Sequence, residues 1–203
     1  MRPERRRVLT TFGLALLLLP LCLAAWYAAG IAVTWLPARL AAPAIGMAAG
    51  RVQKVEIAPR SVTYVIEVEG KYRPGGTPRV EARVDVPAAN YTYGVALFVA
   101  LALAARGWRR PARFAAGLAI LWVLPTFGIT FEALRHLGLS AELGGLLNWG
   151  GGVREAIALG YQVGSLLLPT LAPIATWLAL YPDEWRGVIP AAAEAAAGRD
   201  PIT

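Results

Sequence analysis

Long apolar blocks separated by short polar segments dominate the hydrophobic pattern of this 203-residue chain. The blocks cover residues 8–35, 91–105, 114–131 and 156–181. A bilayer core of about 30 Å is crossed by a helix of about 20 apolar residues, so each block predicts one transmembrane helix. The second block is short and needs its flanking residues to span. We therefore expect an integral membrane protein, mainly α-helical, with four transmembrane helices.

The segment 37–90 has a different pattern. Residues 37–50 are rich in alanine and glycine and predict a short helix at the outer membrane surface. Apolar and polar residues then alternate over 62–69 and again over 79–86, the period of two that is typical of half-buried strands. A breaker-rich loop at 70–78 joins them, and a weaker strand at 52–57 precedes them. These features predict a small extracytoplasmic antiparallel β meander between the first and second transmembrane helices.

The second half of the chain predicts three of the four spans. Between the third and fourth spans, residues 132–155 are amphipathic and glycine-punctuated, which favours an outer loop with a short interfacial helix. The domain organisation that follows is a basic N-terminus with the first helix (1–36), an extracytoplasmic segment (37–90), three further spans (91–181) and a cytoplasmic tail (182–203).

The positions of the basic residues predict how the helices are oriented in the membrane. The net charge is +7 and the isoelectric point about 10.1. Two groups of four arginines precede the first block and fill the gap between the second and third: Arg2, Arg5, Arg6, Arg7, Arg106, Arg109, Arg110 and Arg113. Arginines in short cytoplasmic loops follow the positive-inside rule, so both termini are expected in the cytoplasm. Membrane orientation already explains the basic bias, and nucleic acid is not expected as a partner. The first block also resembles a signal peptide, but we expect an uncleaved anchor.

Candidate chemistry is sparse. Cys22, the only cysteine, lies in the first span without a neighbouring base and is expected to be an apolar filler. His136, the only histidine, and Glu132 share a helix face at i and i+4, but they form only half of a metal or acid–base site. Familiar hydrolase, P-loop and CxxC motifs are absent from the sequence. We therefore predict no catalytic residues, no metal site, no cofactor and no enzymatic activity.

Two sets of residues are candidates for contacts. Gly160 and Gly164 form a small-xxx-small face in the fourth span, which favours close packing against a helix of the same chain or of a partner, including a second copy. Gln162 between them predicts an interhelical hydrogen bond, with a transport path as the alternative.

The second set lies on the predicted hairpin. Its charged residues form either a solvated strand face with cross-strand pairs or a docking surface for a partner. The docking candidates are Glu67, Glu69, Arg79 and Arg83.

Three stretches carry a family resemblance: residues 89–103 (ANYTYGVALFVALAL), 124–137 (LPTFGITFEALRHL) and 157–178 (IALGYQVGSLLLPTLAPIATWL). In these stretches and in the order of features, the chain resembles the membrane proteins associated with exosortase H. The resemblance implies an accessory protein of the bacterial inner membrane, in contact with lipid and with an exosortase-type transpeptidase. The alternative is a small membrane enzyme or transporter component with a polar site near Glu132, His136 and Gln162.

Overall fold

The computed structural model describes residues 3–69, 79–140 and 145–185, with side chains from residue 9 onward except that of Glu69. These residues are mainly helical and include one three-stranded antiparallel sheet, which confirms the predicted fold class. The sheet follows the second long helix of the chain. The predicted loop at 70–78 and most of the tail lie outside the described residues.

The N-terminal part is one bent helical path. Helix α1 covers Pro3–Ala28 and α2 covers Gly30–Ala49. Ala29 between them keeps φ −76° and ψ −1°, and its N–H still donates to the carbonyl of Ala25 at 2.9 Å. The helix therefore bends at Ala29 and does not reverse. A Cβ on Gly30 would lie 2.6 Å from the carbonyl oxygen of Pro59, so the bend lies where the loop after the first strand packs against the helix.

Helix α2 differs from the surface helix expected at 37–50, because it begins at Gly30 and buries one face. Two prolines inside it do not end the helix. Its buried residues recur at helical spacing and pack beneath the sheet: Thr34, Ala38, Ala41, Ile45 and Ala49.

The sheet has the order β1-β2-β3, with β1 at Arg51–Ile57, β2 at Val62–Glu69 and β3 at Arg79–Val86. A register shift between Val52 and Lys54 leaves Gln53 as a bulge in the edge strand β1. The inner face is buried against α2, where the Tyr64 hydroxyl donates to the carbonyl oxygen of Ala38 at 2.8 Å. Burial raises the pKa of the Tyr64 phenol, so this hydroxyl keeps its proton and the bond that joins β2 to α2.

The remaining chain forms three antiparallel passes. A turn of helix, α3 (Ala89–Thr92), leads into α4 (Gly94–Ala104), and a 3₁₀ turn at Gly107–Arg109 follows. Helices α5 (Pro111–Val123) and α6 (Pro125–Leu139) are continuous through Leu124. Helix α7 (Gly151–Gln162), a π-helical segment (Val163–Leu167) and α8 (Leu168–Leu180) form the last pass, which ends in a 3₁₀ turn at Pro182–Glu184.

The outer loop predicted at 132–155 is shorter in the structure. Helix α6 continues past Phe131 to Leu139, and α7 already begins at Gly151. The polar residues that suggested a loop, Glu132 and Arg135, pair with each other inside the helix and do not break it.

The two ends of the bundle are chemically distinct. At one end, called the basic end (residues 106–113 and 181–185), Arg110 Nη1 lies 2.6 Å from Asp183 Oδ2, and Arg113 donates to the carbonyl oxygen of Leu180. The sheet lies at the opposite end. Phe12 of α1 contacts Trp177 near the basic end, and Trp26 donates to Thr92 near the sheet, so α1 runs from the basic end towards the sheet.

Four helical segments are long and apolar enough to cross a membrane: Leu9–Ala28, Gly30–Ala49, Pro111–Leu139 and Gly151–Leu180. The predicted number of four membrane-spanning helices is confirmed, but the four segments are not the ones predicted. The predicted second span is the shorter apolar helix Ala89–Ala104, and α2 takes its place among the long segments.

Candidate functional site

A buried carboxylate is the centre of the polar cluster nearest the sheet. Glu132 on α6 is only 4% exposed. The Tyr91 hydroxyl donates to its Oε2 at 2.7 Å, and Arg135 Nη2 donates to its Oε1 at 2.9 Å. His136 Nε2 lies 3.0 Å from the same Oε1. Both oxygens of the carboxylate therefore have partners, as burial of a charge requires.

Helical spacing and the fold bring these groups together. Arg135 and His136 follow Glu132 by three and four residues, which places all three on one face of α6. Tyr91 comes from α3, the turn directly after the sheet. Tyr161 of α7 lies beneath the guanidinium of Arg135, with 4.3 Å from Cζ to the ring centroid. The cluster thus joins three separate segments.

The two contacts of His136 Nε2 do not determine whether that nitrogen carries a proton. Its Nε2 lies 3.0 Å from Glu132 Oε1 and 3.1 Å from Arg135 Nη2. Guanidinium nitrogens only donate and carboxylates only accept, so the two contacts need opposite protonation of Nε2. Nε2 therefore donates to Glu132 in one tautomer of the imidazole and accepts from Arg135 in the other.

The arrangement lacks the parts of a familiar active site. Among the described residues, no group of three or more His, Cys, Asp and Glu side chains is placed to hold a metal ion. Cys22 is buried with Ala96 and Ala100 against α4, towards the middle of the bundle. The cluster can hold α3, α6 and α7 together, and its described members include no nucleophile paired with a base.

The glycine face of the last pass contacts α6. A Cβ on Gly164 would lie 2.7 Å from the Cα of Gly128, and a Cβ on Gly160 would lie 2.3 Å from the ring of Phe131. The Gly164 distance shows backbone-to-backbone approach within one chain, whereas Gly160 makes room for the ring of Phe131. Gln162, by contrast, is exposed, and it does not join Glu132 and His136.

The docking candidates lie on the outer face of the sheet. Glu67 accepts from Gln53 at 2.8 Å and lies 3.6 Å from Arg79, whereas Arg83 lies 3.6 Å from Glu81. The backbone of Glu69 pairs with that of Arg79, but its side chain lies outside the described residues. The contacts of Glu67 with Gln53 and Arg79 are cross-strand pairs, whereas Arg83 and Glu81 lie on the same strand, and together they form a mixed-charge surface.

An apolar helical bundle with a small sheet at one end, and with the buried carboxylate of Glu132 paired inside the fold, is the architecture of a multi-pass membrane protein. The chain matches the family model of the exosortase H-associated membrane proteins over residues 5–184, and it belongs to that family. No curated protein and no solved structure matches it.

Proposed function

We propose that this protein is a non-enzymatic accessory component of an exosortase-type protein-sorting system in the bacterial inner membrane. The match over residues 5–184 to a family described as exosortase H-associated membrane proteins carries the proposal. The geometry supports it in two ways. The buried carboxylate of Glu132 is paired within the fold, and the sheet presents a mixed-charge face on its outer side.

The lengths of the helices support a membrane placement. About 20 residues cross a hydrocarbon core of about 30 Å, and counting from the basic end along each pass reaches Ala28, Thr130 and Tyr161. These positions lie close to the bend at Ala29 and to Tyr91. We place the outer edge of the hydrocarbon at this level. The arginines of the basic end then lie in the cytoplasm and the sheet lies outside. Helix α3 lies at the outer edge of the hydrocarbon, and the first turns of α2 reach below that edge, where Trp122 donates to the carbonyl oxygen of Val33.

In this placement α2 is an extension of α1 and not a separate crossing. A return crossing would bring the sheet to the basic end, whereas the sheet packs against α6 at the other end. The shorter helix Ala89–Ala104 is then the second crossing, about 24 Å long, which needs slight thinning of the bilayer or help from flanking residues.

Reporter fusions test this topology. Alkaline phosphatase inserted at Gly75 is expected to be active, and the same enzyme inserted at Trp108 is expected to be inactive, because the two positions lie on opposite sides of the membrane. A green fluorescent protein fusion should give the reverse pattern. A cytoplasmic signal at Gly75 would contradict both the topology and the assignment of α2 to the outer side.

The outer face of the sheet is the docking surface that we propose for the exosortase-type partner. It comprises Glu67, Glu69, Arg79 and Arg83. Arg79 and Arg83 are each about two-thirds exposed, so their charges are available at the surface even while they approach Glu67 and Glu81. Mixed charges of this kind contribute more to partner choice than to raw affinity.

Charge reversal tests the docking surface. The double variant Arg79→Glu/Arg83→Glu is expected to lower recovery of the exosortase in mild-detergent pull-downs by about tenfold or more, because like charges then face the partner's complementary surface. Arg39→Glu, on the exposed side of α2, is the matched control and should leave recovery unchanged. If deletion of the gene leaves substrate sorting intact and no exosortase is ever recovered, the proposed function is wrong.

A further inference from the structure

A groove opens between the C-terminal half of α6 and the first turns of α7. It encloses about 150 Å³, and its walls are mainly apolar. Two arginines, one from each helix, are at its rim, and none of its described lining residues is acidic. The residues that define the groove are Leu134, Arg135, Gly138, Trp149, Arg154 and Ile157.

The first arginine is held firmly in place. Arg135 is fixed by the carboxylate of Glu132 and by the ring of Tyr161 beneath its guanidinium. Its Nε is buried, and the described residues offer this N–H no acceptor. A buried donor without a partner costs free energy, so an acceptor brought by a ligand would stabilise this site.

The second arginine is exposed and lies across the groove. Arg154 is on the first turns of α7 and has no ion pair among the described residues. Trp149, half-buried, packs its ring against Gly138 on α6 and forms part of the wall between the two helices. The groove therefore combines cationic donors at its rim with an apolar interior.

The position of the groove relative to the hydrocarbon edge limits the kinds of ligand that can reach it. With the hydrocarbon edge near Thr130 and Tyr161, Arg135 and Arg154 lie about 7 and 10 Å above that edge at about 1.5 Å per helical residue. Headgroup regions extend the bilayer from about 30 Å to about 40–45 Å, which is about 5–7 Å on each side, so Arg135 lies at the outer limit of the headgroup layer and Arg154 lies just beyond it. Leu139, which lines the groove, and Leu159 on α7 are both exposed.

We propose that this groove binds one anionic phospholipid, with its phosphate between Arg135 and Arg154 and the start of an acyl chain against Leu134 and Ile157. A free phosphate would use the arginines but not the apolar walls, and an apolar ligand would leave the arginines unused. An anionic lipid uses both. The inference goes beyond the proposed accessory role and rests only on the membrane placement.

Quenching of Trp149 tests the proposal. The full-length protein in nanodiscs of phosphatidylcholine is titrated with brominated phosphatidylglycerol or brominated phosphatidylcholine, and the Trp149→Phe variant supplies the signal of the other tryptophans. We expect Trp149 to be quenched preferentially by brominated phosphatidylglycerol. Arg154→Gln should weaken this preference about fivefold, the effect of one arginine near an anionic headgroup. Arg39→Gln, the matched loss of charge outside the groove, should leave it unchanged.

Three results would overturn the proposal. Equal quenching by the two brominated lipids would mean that the groove does not select anionic lipid. Equal behaviour of Arg154→Gln and Arg39→Gln would mean that Arg154 does not contact the phosphate. Displacement of brominated phosphatidylglycerol by excess inorganic phosphate would mean that a soluble anion, and not a lipid, is the ligand. The exosortase pull-down is independent of all three, so this inference and the accessory role can fail separately.

Discussion

Gly164→Ala is expected to destabilise the protein although alanine is the better helix former. The new Cβ would lie 2.7 Å from the Cα of Gly128, and neither backbone can move without shifting a whole pass of the bundle. Overpacking of this kind costs about 1–3 kcal/mol of folding free energy. Replacing glycine by alanine gains about 1 kcal/mol in helix propensity, and because the two backbones cannot separate, the overpacking cost is the larger. The loss of folding free energy is measured by SDS-induced unfolding in mixed micelles, followed by circular dichroism.

Gly152→Ala is the matched control, because it lies at the start of the same helical pass and a Cβ there meets nothing within 4 Å. It should be neutral or slightly stabilising. Gly160→Ala should fall between the two, since its new Cβ meets the ring of Phe131, a side chain that can rotate. If Gly164→Ala and Gly152→Ala unfold at the same SDS fraction, the close approach of α6 and the last pass is not a stabilising contact.

The alternation of apolar and polar residues was sufficient to predict the sheet. Alternation of apolar and polar residues predicted strands at 62–69 and 79–86, and β2 and β3 have those bounds. The weaker strand was expected at 52–57 and begins one residue earlier. Its bulge at Gln53 disturbs the alternation, which explains why the signal was weaker there. Local pattern suffices in such strands because one face is buried and the other is charged.

The bounds of the second long helix differ from the prediction for a physical reason. The sequence predicts a helix only at 37–50, whereas α2 begins at Gly30 and contains Pro37 and Pro43 in its interior. Proline within a helix removes one hydrogen bond, and tertiary packing of the buried face against the sheet can offset that loss. The spacing of Thr34, Ala38, Ala41 and Ile45 carried the helical signal, but small side chains give it little contrast in an alanine-rich segment.

Only part of the candidate site could be predicted from the sequence. The i, i+4 spacing of Glu132 and His136 is local, so the pair could be found in the sequence. Tyr91 is 41 residues away from Glu132, and such a contact depends on how the passes pack. Likewise, the partner of the Gly160/Gly164 face could not be chosen between this chain and another, because any closely packed helix satisfies a small-xxx-small face.

Removing Arg135 is expected to be the most damaging single substitution in the polar cluster. In Arg135→Met, the carboxylate of Glu132 stays 4% exposed but loses its only permanently cationic partner in the cluster. Breaking a buried ion pair on one side costs about 3–5 kcal/mol, because an uncompensated charge remains. Glu132→Gln should cost less, since Arg135 is 30% exposed and can turn its charge to water. SDS-induced unfolding again measures both losses.

The double variant Glu132→Gln/Arg135→Met isolates the pair. With both charges removed, we expect it to be more stable than Arg135→Met alone, whereas independent residues would give additive losses. Arg154→Gln, a charge removed from the neighbouring helix, is the control and should leave unfolding unchanged. Additive losses would mean that the two side chains stabilise the fold separately and that the cluster does not hold the three segments together.

His136→Ala then separates a structural cluster from a chemical one. Its contact with Glu132 is shared with Arg135, so its loss should change the unfolding midpoint little. In cells, a variant that is inserted and folded normally should also sort substrates normally if the cluster only joins α3, α6 and α7. Loss of sorting with normal folding would instead assign the proton on His136 a role in the reaction, and would favour a membrane enzyme or transporter component over an accessory protein.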